Sequence, residues 1–357
     1  MIRKGFVFPV FLCIYHLLFA IVAWQYSLKN PGDAIRYWYP DKNWYSYFNI
    51  GPDIIKLINY AFSKVLHLPF WMGFILYSFI GYLAIFELYK FSKNYIFNSE
   101  SGIKQLTLMV VFMLPNLHFW TSIIGKEAIV FLAITWIIIH HAKGKMFTLK
   151  YVFGWLILIL IRPHVALFLL LAIGIDYIFR GKINQKKLIT LGVGSAICFI
   201  LYIMTLSILN RNPFDIAYIL ERNNASLLAF KRAGSYVPMI NYNFVERFFA
   251  LNFRPLFWDA QSFFGMVLSI ENGLVLILFL SGIYYYIKNY KTVKSDRFVR
   301  ISLLFFIISS LFFIQRYSCI GIFVRTKIMY MPFVLIALIR IISYHHKKNE
   351  EDNRMFL

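Results

Sequence analysis

The chain has 357 residues, 60% of them hydrophobic and only 15% charged, with a mean hydropathy of +0.65. Soluble domains carry roughly 45–50% apolar and about 25% charged residues, so a soluble globular fold, which could not hide this much apolar surface, is excluded. A formal charge of +21 would suggest nucleic acid in a soluble protein, but much of it sits in short connectors between apolar runs, where membrane topology accounts for it and no nucleic-acid partner is expected.

Apolar runs fall at residues 6–28, 68–89, 105–119, 123–141, 149–161, 164–179, 188–209, 271–287, 298–314 and 328–344. Most are long enough to cross ~30 Å of hydrocarbon at ~1.5 Å per residue. The expected fold is therefore all-α: a polytopic integral membrane bundle of about ten spanning helices, one transmembrane domain over residues 1–357, with re-entrant or interfacial outer loops. Met1-Ile2-Arg3-Lys4 resembles the start of a signal peptide, but the following run is too long for one and lacks a small-residue cleavage site, so it reads as a retained first span. The fifth and sixth runs are short and meet at Arg162-Pro163-His164, so they are either two half-buried helices joined by a tight outer turn or one broken helix, and Pro163 favours a break there because it removes a backbone donor. Cys13, Cys198 and Cys319 give neither a metal spacing nor a disulfide framework.

Positive residues near span ends resist translocation, which orients the chain. Starting inside at Arg3 and Lys4, the inner connectors hold Lys90, Lys93 and Lys104, then Lys143, Lys145 and Lys150, then Arg180, Lys182, Lys186 and Lys187, then Lys288, Lys291, Lys294, Arg297 and Arg300. The tail with Arg340, Lys347 and Lys348 also falls inside, so both termini are expected in the cytoplasm of a cell whose inner or plasma membrane holds the protein.

The outer side collects the unusual polar residues. The first outer loop, 29–67, contains Gly32-Asp33-Ala34 and a stretch of helical amphipathic spacing through Ile54, Ile55, Leu57, Ile58, Phe62 and Leu66. Asp33 fits either a cap on a short helix or a carboxylate that takes a proton from a sugar hydroxyl or holds a metal near phosphate. The turn 115–127 carries Pro115, His118, Gly125, Lys126 and Glu127 at membrane depth, where irregular backbone is tolerated only if buried in protein or lining a wet cavity. Lys126 and Glu127 fit an ordinary interfacial pair, yet a first-turn lysine opposes the helix dipole and asks for an anion. Arg162 is either a snorkelling interfacial side chain or a planar fork for phosphate, and His164 a base or donor near neutral pH. The long outer segment 210–270 holds Arg211, Arg222, Lys231, Arg232, Arg247 and Arg254, and the last outer loop holds Arg316, Arg325 and Lys327. Lipid headgroups or an anionic ligand would each offset these translocated cations. Aromatics beside Arg254 and Asp259 suit sugar rings and an interfacial belt alike. No phosphate-binding glycine loop, zinc-protease motif or nucleophile elbow is present.

The Gly32-Asp33 loop, the Gly125-Lys126-Glu127 helix start, the Arg162-Pro163-His164 turn and the Arg316/Arg325 loop together resemble bacterial surface-polysaccharide polymerases of the EpsG-like and Wzy (O-antigen) type, and more distantly the C-type glycosyltransferases. The resemblance covers the whole hydropathy profile and rests on short motifs. It implies a polyprenyl-pyrophosphate-linked glycan as substrate, membrane lipids as neighbours and other polysaccharide-assembly proteins as partners. On this expectation Lys126, Arg162, Arg254, Arg316 and Arg325, with His118, bind the substrate and neutralise its pyrophosphate. Asp33, Glu127 or His164 takes the acceptor proton. C-type transferases often have paired acids in the first outer loop and a soluble outer domain, and this chain has Gly32-Asp33-Ala34 instead. A divalent metal is expected only under that alternative, which uses a polyprenyl-monophosphate sugar. A flippase for an anionic lipid-linked glycan is the other alternative, and it calls for polar residues through the full membrane depth.

Overall fold

The computed structural model describes residues 7–96, 102–179, 184–210 and 212–355, with the backbone alone at 102–103, 216 and 345–355. Arg3, Lys4, Arg180, Lys182 and Arg211, and the side chains of Lys347 and Lys348, lie outside the described residues. Among those described the chain is helical without strands, apart from an isolated bridge between Tyr236 and Cys319. In chain order the helices are α1 (Val7–Lys29), α2 (Asp33–Trp38), α3 (Asp53–Tyr60), α4 (Phe70–Ile96), α5 (Gly102–Phe112), α6 (Pro115–Ser122), α7 (Glu127–Ala142), α8 (Leu149–Ile161) and α9 (Pro163–Ile178). They continue as α10 (Gln185–Ile208), α11 (Ile216–Leu228), α12 (Phe244–Phe253), α13 (Phe263–Lys288), α14 (Tyr290–Val293), α15 (Arg297–Phe313), α16 (Ile320–Lys327) and α17 (Met331–Met355).

Helix ends follow local chemistry. Pro115 starts α6 and Pro163 starts α9, positions where a missing N–H costs nothing. Asn184, Asp215, Asn243, Ser262 and Asp296 each cap a helix by accepting the N–H of the third residue onward, an arrangement worth about 1 kcal/mol apiece. The amphipathic stretch of the first loop forms α3 and a π turn over Ala61–Val65.

Among the described residues four helices, α1, α4, α10 and α13, are long and apolar enough to cross a membrane, and α16 with α17 makes a fifth if that pair, bent by 59°, counts as one. The remaining apolar runs become shorter helices because prolines and glycines interrupt them: the run 105–119 breaks ahead of Pro115, and Pro163 separates α8 from α9. α10 leaves nearly all of its apolar surface outside the protein, as a lipid-facing helix does.

The chain divides into two compact units, one of Met1–Ser92 with Phe112–Ala166 and one of Lys93–Val111 with Leu167–Leu357. In the first, α7 is buried almost all round and pairs with α8, while α6 lies against α1 and α3 packs on α2 and α8. Gly154 lets α8 come close, since a Cβ there would sit 2.9 Å from the Ala133 carbonyl oxygen. Glu87 of α4 and Lys150 of α8 form an ion pair. In the second unit α17 packs on α13 and α15, and α12 sits against α13, α15 and α16. Asp296, at the start of α15, accepts hydrogen bonds from Tyr95 and from the Tyr344 hydroxyl at 2.8 Å, and pairs with Arg340. Buried Asp176 pairs with Arg300 in the same unit.

Candidate functional site

Three segments far apart in sequence meet at one end of the first unit. Arg162, in non-helical backbone between α8 and α9, donates from Nη2 to Glu127 Oε1 at 2.9 Å. Their side chains are only 9% and 1% exposed, so both charges are desolvated and each depends on the other. Glu127 opens α7, where the positive end of the helix dipole favours a carboxylate. Gly125 makes room for it: a Cβ there would lie 2.9 Å from Glu127 Oε2. Arg162 Nε–H is buried and has no hydrogen-bond partner among the described residues.

Lys126, one residue before Glu127, is half-buried and donates to the Tyr37 hydroxyl at 3.4 Å, with its ammonium 5.9 Å from that ring centre. Tyr37 is fixed from behind, because Asn59 Nδ2 donates to its carbonyl at 3.0 Å and Asn59 Oδ1 accepts from the Tyr77 hydroxyl at 3.1 Å. The loop between α2 and α3 is fastened to the same place by Gly51 N–H, which donates to the Leu160 carbonyl at 2.8 Å. Lys126, Glu127 and Arg162 thus lie together, with the Tyr37 hydroxyl in reach of the lysine.

Asp33 opens α2 one turn before Tyr37, on the same face by its i, i+4 spacing, and pairs with Arg36 while staying partly exposed. His164 is half-buried in the first turn of α9. His118 lies elsewhere in the unit. It is fully buried, its Nδ1 is 2.9 Å from His16 Nδ1 of α1, and its Nε2 is 2.7 Å from the Phe112 carbonyl oxygen. His16 Nε2 in turn lies 3.0 Å from the Ser78 carbonyl and 3.3 Å from the Ser122 hydroxyl. A mid-span histidine in the first apolar run asks for a partner, and that signal identifies His16.

The second unit holds the remaining cations. Arg254 grips Asp259 with its fork: Nε donates to Oδ1 and Oδ2 at 3.1 and 3.0 Å, Nη2 also reaches Oδ1, and Nη1 donates to the Tyr242 hydroxyl at 3.2 Å. Burial raises the Asp259 carboxyl, but Arg254 and the Leu256 N–H outweigh it and hold it below the usual carboxylate range. Lys327, at the end of α16, is buried and donates to Asn272 Oδ1 at 2.6 Å and to the Arg254 carbonyl at 3.1 Å. Asn272 Nδ2 donates to the Pro255 carbonyl at 2.8 Å, so one amine and one amide satisfy this irregular backbone. Arg316 Nη1 donates to Ser226 Oγ at 2.8 Å, and Arg325 is half-buried within α16.

The structure therefore gathers Lys126, Glu127 and Arg162 with Tyr37, sets Asp33 one helical turn from Tyr37, and commits Arg254 to an internal ion pair. Tyr37, Asn59 and Asn272 escape a search for charged motifs, because only their tertiary partners distinguish them. Among the described residues no three His, Cys, Asp or Glu side chains gather as a metal site. Comparison of the chain with protein-family models, with curated proteins and with solved structures finds no match to any of them.

Proposed function

We propose that the chain is a membrane glycosyltransferase of polymerase type, transferring glycan from a polyprenyl-pyrophosphate carrier to a second lipid-linked unit at the outer face of a cell inner membrane. The observation that carries this reading is the convergence of Lys126, Tyr37 and the Glu127–Arg162 pair, with the buried Nε–H of Arg162. Oriented cations of this kind stabilise charge developing on a pyrophosphate leaving group. The acceptor hydroxyl attacks the anomeric carbon, the bond to pyrophosphate oxygen breaks, and a base takes the hydroxyl proton. Asp33 and His164 are the accessible bases, whereas Glu127, enclosed with Arg162, positions that guanidinium. In this reading the shorter apolar helices complete a set of about ten spans, the termini are cytoplasmic, and surface-polysaccharide assembly supplies the partners.

The test is a reconstituted assay with purified lipid-linked repeat units, with and without a chelator, on wild type and Arg162→Ala. Chelator-resistant elongation that is lost in Arg162→Ala at normal protein level supports the proposal. Chelator-sensitive transfer of single sugars, translocation without elongation, or unchanged product length in Arg162→Ala overturns it.

A further inference from the structure

The loop between α2 and α3 exposes Trp44, Tyr45 and Phe48, at 53%, 62% and 72%. Large apolar side chains at such exposure need an occupant or a solvent that suits them. The loop that carries them is built. Tyr47 is buried beneath it, its hydroxyl accepts from Lys42 N–H at 2.5 Å and donates to Asp41 Oδ1 at 2.8 Å, and Lys56 stands 5.2 Å from its ring centre. Asn49 Nδ2 donates to the Ser46 carbonyl at 3.0 Å, and Asn43 Nδ2 to the Tyr45 hydroxyl at 3.0 Å. The Trp44 and Tyr45 rings are 6.1 Å apart and nearly perpendicular, so they present an indole face beside a phenol edge.

The hydrocarbon of a membrane is a poor occupant. Asp41, Lys42, Asn43, Ser46 and Asn49 interleave with the rings, and irregular backbone with an ionised carboxylate is costly to place in hydrocarbon. The Tyr47 hydroxyl beside Asp41 holds that carboxyl below its usual range, so it stays charged. A flat ring face flanked by amide and carboxylate groups is the chemistry that meets a sugar: apolar C–H faces on the rings, hydroxyls on the polar groups.

We infer that Trp44 and Tyr45 form a glycan-stacking subsite, held by the same scaffold as Lys126 and Arg162. The Gly51–Leu160 hydrogen bond ties the far end of the loop to α8 two residues before Arg162, and the near end continues from α2, which carries Tyr37. The inference rests on reading this end of the first unit as a site for lipid-linked glycans. It adds a contact that grips the sugar portion, independent of the cations that meet the phosphate.

The experiment uses the full chain in nanodiscs and the water-soluble glycan released by mild acid from the polyprenyl-linked pool of the producing cells. Trp44→Ala and Tyr45→Ala should each weaken glycan binding roughly 10-fold, about 1.4 kcal/mol. Phe263→Ala, at an exposed ring in the second unit, should leave binding unchanged. Brominated lipids should quench wild type and Trp44→Phe equally, since a glycan subsite keeps Trp44 out of the hydrocarbon. Preferential quenching of Trp44, or equal glycan affinity in all variants, overturns the subsite. If binding depends on Trp44 while Arg162→Ala still elongates normally, the subsite stands and the polymerase reading falls. If Arg162→Ala abolishes elongation while the ring variants bind normally, the reverse holds.

Discussion

Glu127→Gln strands a charged guanidinium. In the native protein Arg162 donates to Glu127 at 2.9 Å with both side chains almost fully enclosed. The substitution keeps shape and hydrogen-bonding capacity but removes the compensating charge, and losing one partner of a buried pair costs about 3–5 kcal/mol. For a cooperative unit of ~150 residues that corresponds to a fall in melting temperature of roughly 6–20 °C. Arg162→Met should cost less, because a stranded carboxylate can take up a proton whereas a guanidinium cannot give one up. The double variant Glu127→Gln/Arg162→Met should be less damaged than the sum of the two, since no charge is left uncompensated. Heating detergent-solubilised protein and following the surviving monodisperse fraction by size exclusion measures all four corners of the cycle. A Glu127→Gln melting point within ~2 °C of wild type, or strict additivity in the double variant, refutes the reasoning.

Gly125→Ala should separate stability from activity: its Cβ would press on the end of the Glu127 side chain and only touch the Tyr37 ring at 3.9 Å, so unfolding stability falls by ~1 kcal/mol while, on the proposed function, elongation falls further as the carboxylate swings off Arg162, read by melting and product length together. On the proposed function, Lys126→Ala should raise the KM for lipid-linked glycan about 10-fold, and Lys126→Arg should restore most of it, since the alanine variant then loses one charge-assisted contact to phosphate; titrating lipid-linked repeat units measures both. Asp259→Asn should lower the melting temperature at neutral pH. Because the native Asp259 carboxyl titrates below its unfolded value, the stability it adds is present above about pH 4 and is lost as pH falls through the native value, so wild type and variant should converge only in acid. A melting series from neutral pH downward checks this, and a gap that persists in acid contradicts it.

The long apolar helices are legible because hydropathy alone defines them: the runs 6–28 and 188–209 correspond to α1 and α10. α13 starts at Phe263, well before the run at 271–287, and carries Glu271 and Asn272 within it. Their polarity is absorbed inside the second unit, where Asn272 meets Lys327, and no local pattern announces that pairing. The same limit applies at the candidate site. Lys126, Glu127 and Arg162 are visible as unusual residues, but which two of them pair depends on how α7 and α8 meet. Asp33 and Arg36 form a local i, i+3 pair that spacing alone permits. Lys327 reads as an outer-loop cation, yet it is buried as the donor that satisfies the turn at Arg254 and Pro255.

The two buried histidines make three contacts that each call for a proton. His118 Nε2 faces the Phe112 carbonyl, His16 Nε2 faces the Ser78 carbonyl, and the two Nδ1 atoms meet at 2.9 Å. Two neutral rings bring two N–H groups, so one of the three contacts goes without a proton unless the pair takes up a third. The same contacts tie α1 to α4 through Ser78 and to α6 through His118 and Ser122. His118 therefore spends both nitrogens on holding the chain together.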